Sequence, residues 1–247
     1  MTPRFFVDLP LAGGHVLDLP DDTARHVQVL RLQPGSPLVL FNGQGGEWLA
    51  HIGHVGRNAV QVRIGTHQPV ERELASHVTV ALGMPANDRM DAVIEKATEL
   101  GAAVIQPLVT ERSVLRLAGE RAVRKREHWQ GIAASACEQC GRNRVPRIEP
   151  VRAFDEWLAA LPAGAHEARW MLSLRGAQPL AERLEAQQPA AIVSLSGPEG
   201  GLAAAEEIAA LEHGFVAVSL GVRVLRADTA PLALLAAVGL GQALPRP

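Results

Sequence analysis

The 247 residues carry 24 Lys and Arg against 26 Asp and Glu, a net charge of -2, and 47% of them are hydrophobic. That is enough apolar material for one large or two modest cores, which excludes a disordered chain. It also excludes a globally basic nucleic-acid binder, so any RNA contact has to come from a local patch.

Residues 1–70 read as short strands: R-F-F-V-D-L at 4–9, H-V-L-D-L at 15–19, a long alternating stretch over 36–52 and N-A-V-Q-V-R-I-G at 58–65. N-G-Q-G-G at 42–46 splits that stretch into a hairpin. D-D-T-A-R-H-V-Q-V-L-R at 21–31 is a helix that Asp21 or Asp22 can cap. A small β-barrel over residues 1–70 is the economical way to bury strands this short. A polar connector follows near 66–76, and from 76 to 247 strands alternate with helices. H-V-T-V-A-L-G at 77–83 is a strand, and residues 87–100 form a helix opened by Asn87 or Asp88 and closed by Gly101. A-V-I-Q-P-L-V at 103–109 is the next strand, followed by an Arg- and Glu-rich helix near 119–140. Three further apolar runs, at 169–174, 191–197 and 215–221, are separated by helical segments. The pattern is that of βαβ units around a parallel sheet buried on both faces, an α/β domain.

Open parallel sheets bind ligands outside the carboxyl ends of their strands. The last three runs end in L-R-G-A-Q, G-P-E-G-G-L and L-G-V-R-V-L-R-A-D-T-A-P. G-P-E-G-G is neither a P-loop nor a dinucleotide fingerprint. Gly197, Gly200 and Gly201 allow positive φ and a close main-chain approach to a flat, adenine-like ligand. The plainer reading is a tight strand-to-helix turn. Arg223, Arg226 and Asp228 stand just before a helix that is apolar nearly all round from Leu232 to Leu240, with Thr229 as its N-cap and Pro231 in its first turn. An Arg-Asp pair with capping would explain Asp228 and leave two arginines without a purpose.

Other signals are weaker. The only cysteines form C-E-Q-C at 137–140 with no second pair at zinc spacing, so they read as structural thiols in a reducing compartment, and no metal is expected. Asp91, Glu95 and Glu99 recur every fourth residue, a mildly unfavourable spacing for like charges, and are expected to meet arginines across an interface. Of the cationic residues only Lys96 and Lys125 are lysine; arginine is the better fork for phosphate and flat bases. No leader pattern opens the sequence and no apolar run reaches about 18 residues, so a cytoplasmic protein is expected.

R-F-F at 4–6, L-F-N-G-Q-G-G-E at 40–47, D-R-M-D-x-x-I-E-K-A-T-E-L-G at 88–101, T-E-R-S-V at 110–114, E-Q-C-G-R-N-R-V-P at 138–146, S-G-P-E-G-G-L at 196–202 and L-G-x-R-V-L-R-A-D-T-A-P at 220–231 together closely resemble the RsmE family. These are bacterial 16S ribosomal RNA uridine N3-methyltransferases of the SPOUT class. The resemblance implies a PUA-like RNA-binding barrel at 1–70 and an α/β SPOUT domain with a trefoil knot at 76–247. It further implies a homodimer packed through the apolar last helix and a substrate in the small ribosomal subunit. The cofactor would be S-adenosylmethionine, held around Leu172, Ser173 and Leu174, the Gly197-Pro198-Glu199-Gly200-Gly201 loop, Leu220, Gly221, Val224 and Leu225, with Thr229 and Ala230. Arg226 would stabilise the uracil anion, and Glu199 or Asp228 would be the base. RNA contacts would fall on Arg4, Arg25, His26, Arg31, Arg89, Arg112, Arg142 and Arg144. Two rivals stay open: methylation at another RNA position such as a ribose 2′-hydroxyl, and a non-catalytic ribosome-assembly factor.

Overall fold

The structure, a computed structural model, describes residues 2–57, 59–162, 166–186 and 188–240, and the chain divides into two compact units, residues 1–73 with 134–145 and residues 74–133 with 146–247. In the first unit β1 (Arg4–Phe6), β2 (Val16–Asp18), β3 (Pro37–Phe41), β4 (Glu47–Val55) and β5 (Val60–Gln68) form one sheet, in the order β1-β3-β4-β5-β2. The strands expected to make a barrel are therefore hydrogen-bonded in one path, with β1 and β2 at its ends and only the β1–β3 pair parallel. Strict alternation builds the core: Val60, Val62 and Ile64 of β5 are buried while Gln61 and Arg63 between them face solvent. Helix α1 (Asp21–Val29) adds Ala24 and Val27 to the same core. Its cap position is Pro20, and Asp21 and Asp22 lie in the first turn, where their charges suit the helix dipole. The β3–β4 turn is the expected hairpin, with Gly43, Gly45 and Gly46 at φ of 79°, 102° and 68°.

Residues 134–145, read from sequence as part of the second domain, belong to this first unit. They are the end of α3 (Gly119–Cys140) and the R-N-R turn after it, and buried polar groups explain the grouping. Arg4 donates to Glu47 Oε2 and to Asn143 Oδ1, both at 2.6 Å, while Asn143 donates to Glu47 at 3.0 Å and to the Val70 carbonyl at 2.7 Å. Arg142, with a side chain 3% exposed, is clasped by Glu73. Burial alone would raise the Glu47 carboxyl's pKa, but donors from Arg4, Asn143 and Arg72 outweigh it and hold the group below the usual range. Cys137 is buried, and a hydrogen bond with Cys140 together with burial pushes its thiol far above the ordinary range, which disfavours its thiolate.

The second unit is α/β. Its strands are β6 (His77–Gly83), β7 (Val104–Val109), β8 (Arg147–Ile148), β9 (Arg152–Ala153), β10 (Ala168–Leu172), β11 (Gln178–Pro179), β12 (Ala191–Ser196) and β13 (Val216–Ser219). They run in the order β11-β13-β10-β12-β6-β7-β8, with β9 also on β7, and every pairing is parallel. The remaining helices are α2 (Asn87–Glu99), α4 (Phe154–Ala159), α5 (Leu180–Ala186), α6 (Ala204–Glu212) and α7 (Thr229–Leu240). Gly101, at φ 93°, ends α2 as expected, but the cap position at its start is Ala86. Within the chain the acidic face of α2 meets other partners: Asp91 accepts from Trp129 at 2.9 Å, His128 at 3.0 Å and Lys125 at 3.3 Å, while Glu95 and Glu99 both hold Lys96. Asp91 thus satisfies the indole N–H of a Trp that is 0% exposed.

Candidate functional site

Strands β13, β10 and β12 are consecutive neighbours in the sheet, so the three segments singled out at their carboxyl ends converge on one edge. There they enclose a cavity of about 610 Å³. This lies in the range of small-molecule sites.

The first wall follows β10. Leu172, Ser173 and Leu174 line it together with Arg175. The Ser173 N–H extends the ladder to the Val218 carbonyl at 3.1 Å, and its hydroxyl accepts from Arg175 N at 3.1 Å.

The second wall is Ser196 to Leu202. Gly201 N–H closes a turn on the Pro198 carbonyl at 2.8 Å, and Gly201 sits at φ 70°. A side chain on Gly197 would stand 2.5 Å from the carbonyl carbon of Gly201 and from Leu202 N, so the loop packs on itself only because that position is glycine. Arg112, in the T-E-R-S turn after β7, fastens the loop from outside: its Nη1 donates to the carbonyls of Gly200 at 2.8 Å and Leu202 at 3.3 Å. Glu206 secures the same junction by accepting from Glu111 N and Ala203 N, both at 2.8 Å. Glu199 lines the cavity and accepts from Ala86 N at 3.1 Å and from Arg89 at 3.2 Å.

The third wall comes from Val218, Leu220, Arg223, Val224, Leu225, Arg226, Ala227 and Ala230. Gly221, Thr229 and Asp228 are absent from the lining, although Gly221 at φ 112° makes the bend that turns the chain outward. Thr229 is the first residue of α7, and its N–H and that of Ala230 both donate to the Arg226 carbonyl at 3.0 Å. No ion pair joins Asp228 to Arg223 or Arg226 among the described residues, so the pairing that would make this segment merely structural does not form. Two polar atoms here are buried without a partner: Ser196 Oγ, on the cavity wall, and Asp228 Oδ1. Buried hydroxyls and carboxylates are normally paired, so the Ser196 hydroxyl is an unmet polar group on the cavity wall, while Asp228 lies outside the lining.

Ser196, Arg175, Leu202, Glu207, Val218 and Ala227 also line the cavity and were not named as site residues from sequence. Ser196, Arg175, Leu202 and Ala227 had a signal, since each directly adjoins a residue that was named.

The eight residues expected to touch RNA divide sharply. Arg4 and Arg142 are withdrawn from that group, because their guanidinium groups are buried on Glu47 and Glu73. Arg89 and Arg112 are in the cavity wall, the former on Glu199 and the latter on main-chain carbonyls. In the first unit Arg25 is 76% exposed with only a 4.0 Å approach to Asp22, and Arg31 is exposed at φ 55°. Arg144 is half-exposed and pairs with Glu71, while His26 packs edge-on to Phe5 and lies 3.7 Å from Glu138. No group of three or more His, Cys, Asp or Glu that could hold a metal occurs among the described residues, and no helix among them is long and apolar enough to cross a membrane.

Two family models match: an RNA methyltransferase domain over residues 72–239 and an RNA methyltransferase PUA domain over residues 19–65. Ribosomal RNA small subunit methyltransferase E of Bacillus subtilis is 31% identical over 246 residues, with 95% of each chain covered. The protein of the same name from Synechocystis is 34% identical over 213 residues, 85% of this chain and 68% of that one. Among solved structures, ribosomal RNA small subunit methyltransferase E from Neisseria gonorrhoeae, bound to S-adenosyl methionine, superposes with a TM-score of 0.89 at 38% identity over 96% of both chains. A putative methyltransferase from Legionella pneumophila in complex with the same cofactor gives 0.90 at 32% identity, over 96% of this chain and 97% of that one.

Proposed function

The chain belongs to the RsmE family of ribosomal RNA small subunit methyltransferases, with the α/β SPOUT fold behind a PUA-like domain, and on that premise we propose that it methylates N3 of a uridine in small-subunit ribosomal RNA from S-adenosylmethionine. One observation carries the mechanism. A carboxylate, Glu199, and an arginine with no partner among the described residues, Arg226, line one cavity, beside the main chain of the glycine loop and the apolar side chains of Leu172, Leu220 and Leu225.

The cavity suits this donor on its own terms. Its volume of about 610 Å³, the self-packed loop at Gly197 and the unpartnered Ser196 hydroxyl answer to a flat base with polar ends. Leu172 to Leu174, Ser196 to Leu202, and Leu220, Val224 and Leu225 with Ala230 would hold it. S-adenosylmethionine supplies a methyl group on a sulfonium, which leaves as a neutral thioether. Uridine N3 bears a proton at neutral pH, so the N3–H bond must break as the N3–CH₃ bond forms. Glu199 accepts that proton: of the two carboxylates that line the cavity it is the one on the glycine loop itself, whereas Glu207 stands on α6 beside Arg175. Asp228 lies behind the wall and acts on the loop that carries Arg226. Arg226 donates to the uracil carbonyl oxygens flanking N3, where negative charge gathers as the proton leaves. The target base must be turned out of its stack to enter, at a cost of a few kcal/mol.

Of the residues expected to touch RNA, the exposed Arg25 and Arg31, with Arg144 and His26, track RNA backbone. A homodimer is supported by α7, whose Leu232, Ala233, Ala236 and Ala237 are only half-buried in the single chain and whose Leu240 is 86% exposed. A cytoplasmic location follows from such a substrate. The test is nucleoside mass spectrometry on small ribosomal subunits from a strain lacking the activity, after incubation with the protein and S-adenosylmethionine. The expected product is 3-methyluridine; a methylated ribose or another base would overturn the assignment of N3.

A further inference from the structure

Five arginines line the cavity, Arg89, Arg112, Arg175, Arg223 and Arg226, and only Glu199 and Glu207 oppose them there. Their commitments differ. Arg89 is held by Glu199 at 3.2 Å, and Arg112 is taken up by the carbonyls of Gly200 and Leu202. Arg175 approaches Glu207 at 3.9 Å. Arg223 and Arg226 have no acceptor among the described residues, and the stretch Phe215–Ala227 that carries them contains no Asp or Glu. Two uncompensated guanidinium groups therefore face one mouth.

This excess is unsuited to the donor by itself. A sulfonium is a cation, and like charges at close range oppose its binding. Arg226 has a use in the chemistry proposed above; Arg223 has none. It sits in the bend that follows Gly221, between Val222 and Val224, which are 93% and 85% exposed. Neither neighbour can accept a hydrogen bond from it through its side chain, and both can cover a ribose. An arginine on an outward bend beside a cavity that admits one base is placed for the backbone outside, since phosphate oxygens match its planar fork.

Resting on the RNA-methyltransferase reading, we infer that Arg223 is a substrate-positioning residue that grips a phosphate next to the target uridine. By neutralising the mouth, that phosphate favours entry of the cationic donor, so RNA and S-adenosylmethionine bind with positive coupling. The coupling is reciprocal: saturating donor tightens RNA binding by the same factor.

The experiment is binding rather than turnover. Small ribosomal subunits lacking the modification are titrated with wild-type protein, Arg223→Gln and Arg223→Lys, across about 50 to 200 mM salt. Each titration is repeated with saturating S-adenosylmethionine. The expected result for Arg223→Gln is weaker binding with a log–log salt slope shallower by about 0.7 to 0.9, the contribution of one phosphate. The tightening by donor is reduced, and Arg223→Lys restores the slope. Calorimetry of S-adenosylmethionine on the free protein is expected to show affinity for Arg223→Gln equal to or above wild type, because a like charge has gone; a purely structural role would weaken it. A wild-type slope in Arg223→Gln overturns this inference alone. Absence of any subunit binding by the wild-type protein overturns the RNA reading and this inference with it.

Discussion

A methyl group added at Gly197 has nowhere to go. The ideal Cβ lies 2.5 Å from the Gly201 carbonyl carbon, 2.5 Å from Leu202 N and 2.8 Å from Gly201 Cα, all of them main chain. That main chain is itself pinned by the Gly201-to-Pro198 turn and by Arg112 on the carbonyls of Gly200 and Leu202. Relief requires the loop to retreat by roughly an ångström to regain ordinary contact. Overpacking of this kind costs about 1 to 3 kcal/mol. Because the displaced atoms line the cavity proposed for the donor, up to the same energy is expected in binding, a loss of about 5- to 150-fold in S-adenosylmethionine affinity. Two neighbouring substitutions calibrate it. Gly201→Ala meets nothing within 4 Å but must hold φ at 70°, a strain of about 1 to 2 kcal/mol. Gly200→Ala meets Arg112 from its Cβ at 3.2 Å outward, a contact that needs a shift of only a few tenths of an ångström, and is expected to cost less than Gly197→Ala, about 1 kcal/mol. Calorimetric titration of the donor and thermal melting, read at about 2 to 4 °C per kcal/mol for a chain this long, give both quantities. Donor affinity within twofold of wild type for Gly197→Ala, or a Gly200→Ala variant as damaged as Gly197→Ala, would refute the reasoning.

Arg226→Ala is expected to lower kcat by about 10²- to 10³-fold, the usual effect of removing a donor aimed at developing charge. A loss within about threefold, well under 1 kcal/mol, would remove that role from Arg226. Arg112→Ala should weaken S-adenosylmethionine binding by about tenfold, from two charge-assisted bonds at a partly solvated site, and leave the salt slope for subunit binding at its wild-type value. A shallower slope would return Arg112 to the RNA-contacting group. The lowered pKa of Glu47 gives the first unit stability that is present above the usual carboxylate value of 4.5 and is lost as pH falls through the lowered folded-state value. Glu138, whose carboxyl is pushed up mainly by burial, has the opposite sign. The informative quantity is therefore the stability difference between wild type and Glu47→Gln, which should shrink as chemical-denaturation series are taken to more acid pH.

Much of this architecture is local and so was open to reading. Period-two alternation in β5, the glycines of the β3–β4 hairpin, Gly101 after α2 and the full extent of α3 each depend on residues within a few positions of one another. The glycine loop and the segment 220–231 were legible as one site for a similar reason, because strand ends in a parallel sheet share an edge whatever the strand order. The two-residue strands β8, β9 and β11 are too short to carry any period, and none was foreseen.

What sequence could not reveal was how charges are spent. R-N-R at 142–144 looks the same whether it tracks phosphate or locks a fold. Arg4 finds Asn143 across 139 positions and Arg142 finds Glu73 across 69, so the folded chain turned two expected RNA contacts into a buried network. Arg112 reaches Gly200 across 88 positions and becomes a clasp on the cavity wall. Arg223 and Arg226 find no acceptor among the described residues, although Asp228 is only two residues on from Arg226; its Oδ1 is buried and pairs with neither. Backbone periodicity is written along the chain, where each residue constrains its near neighbours. An ion pair is a meeting in space, and the low dielectric that decides whether an arginine must be paired exists only once the core has closed around it.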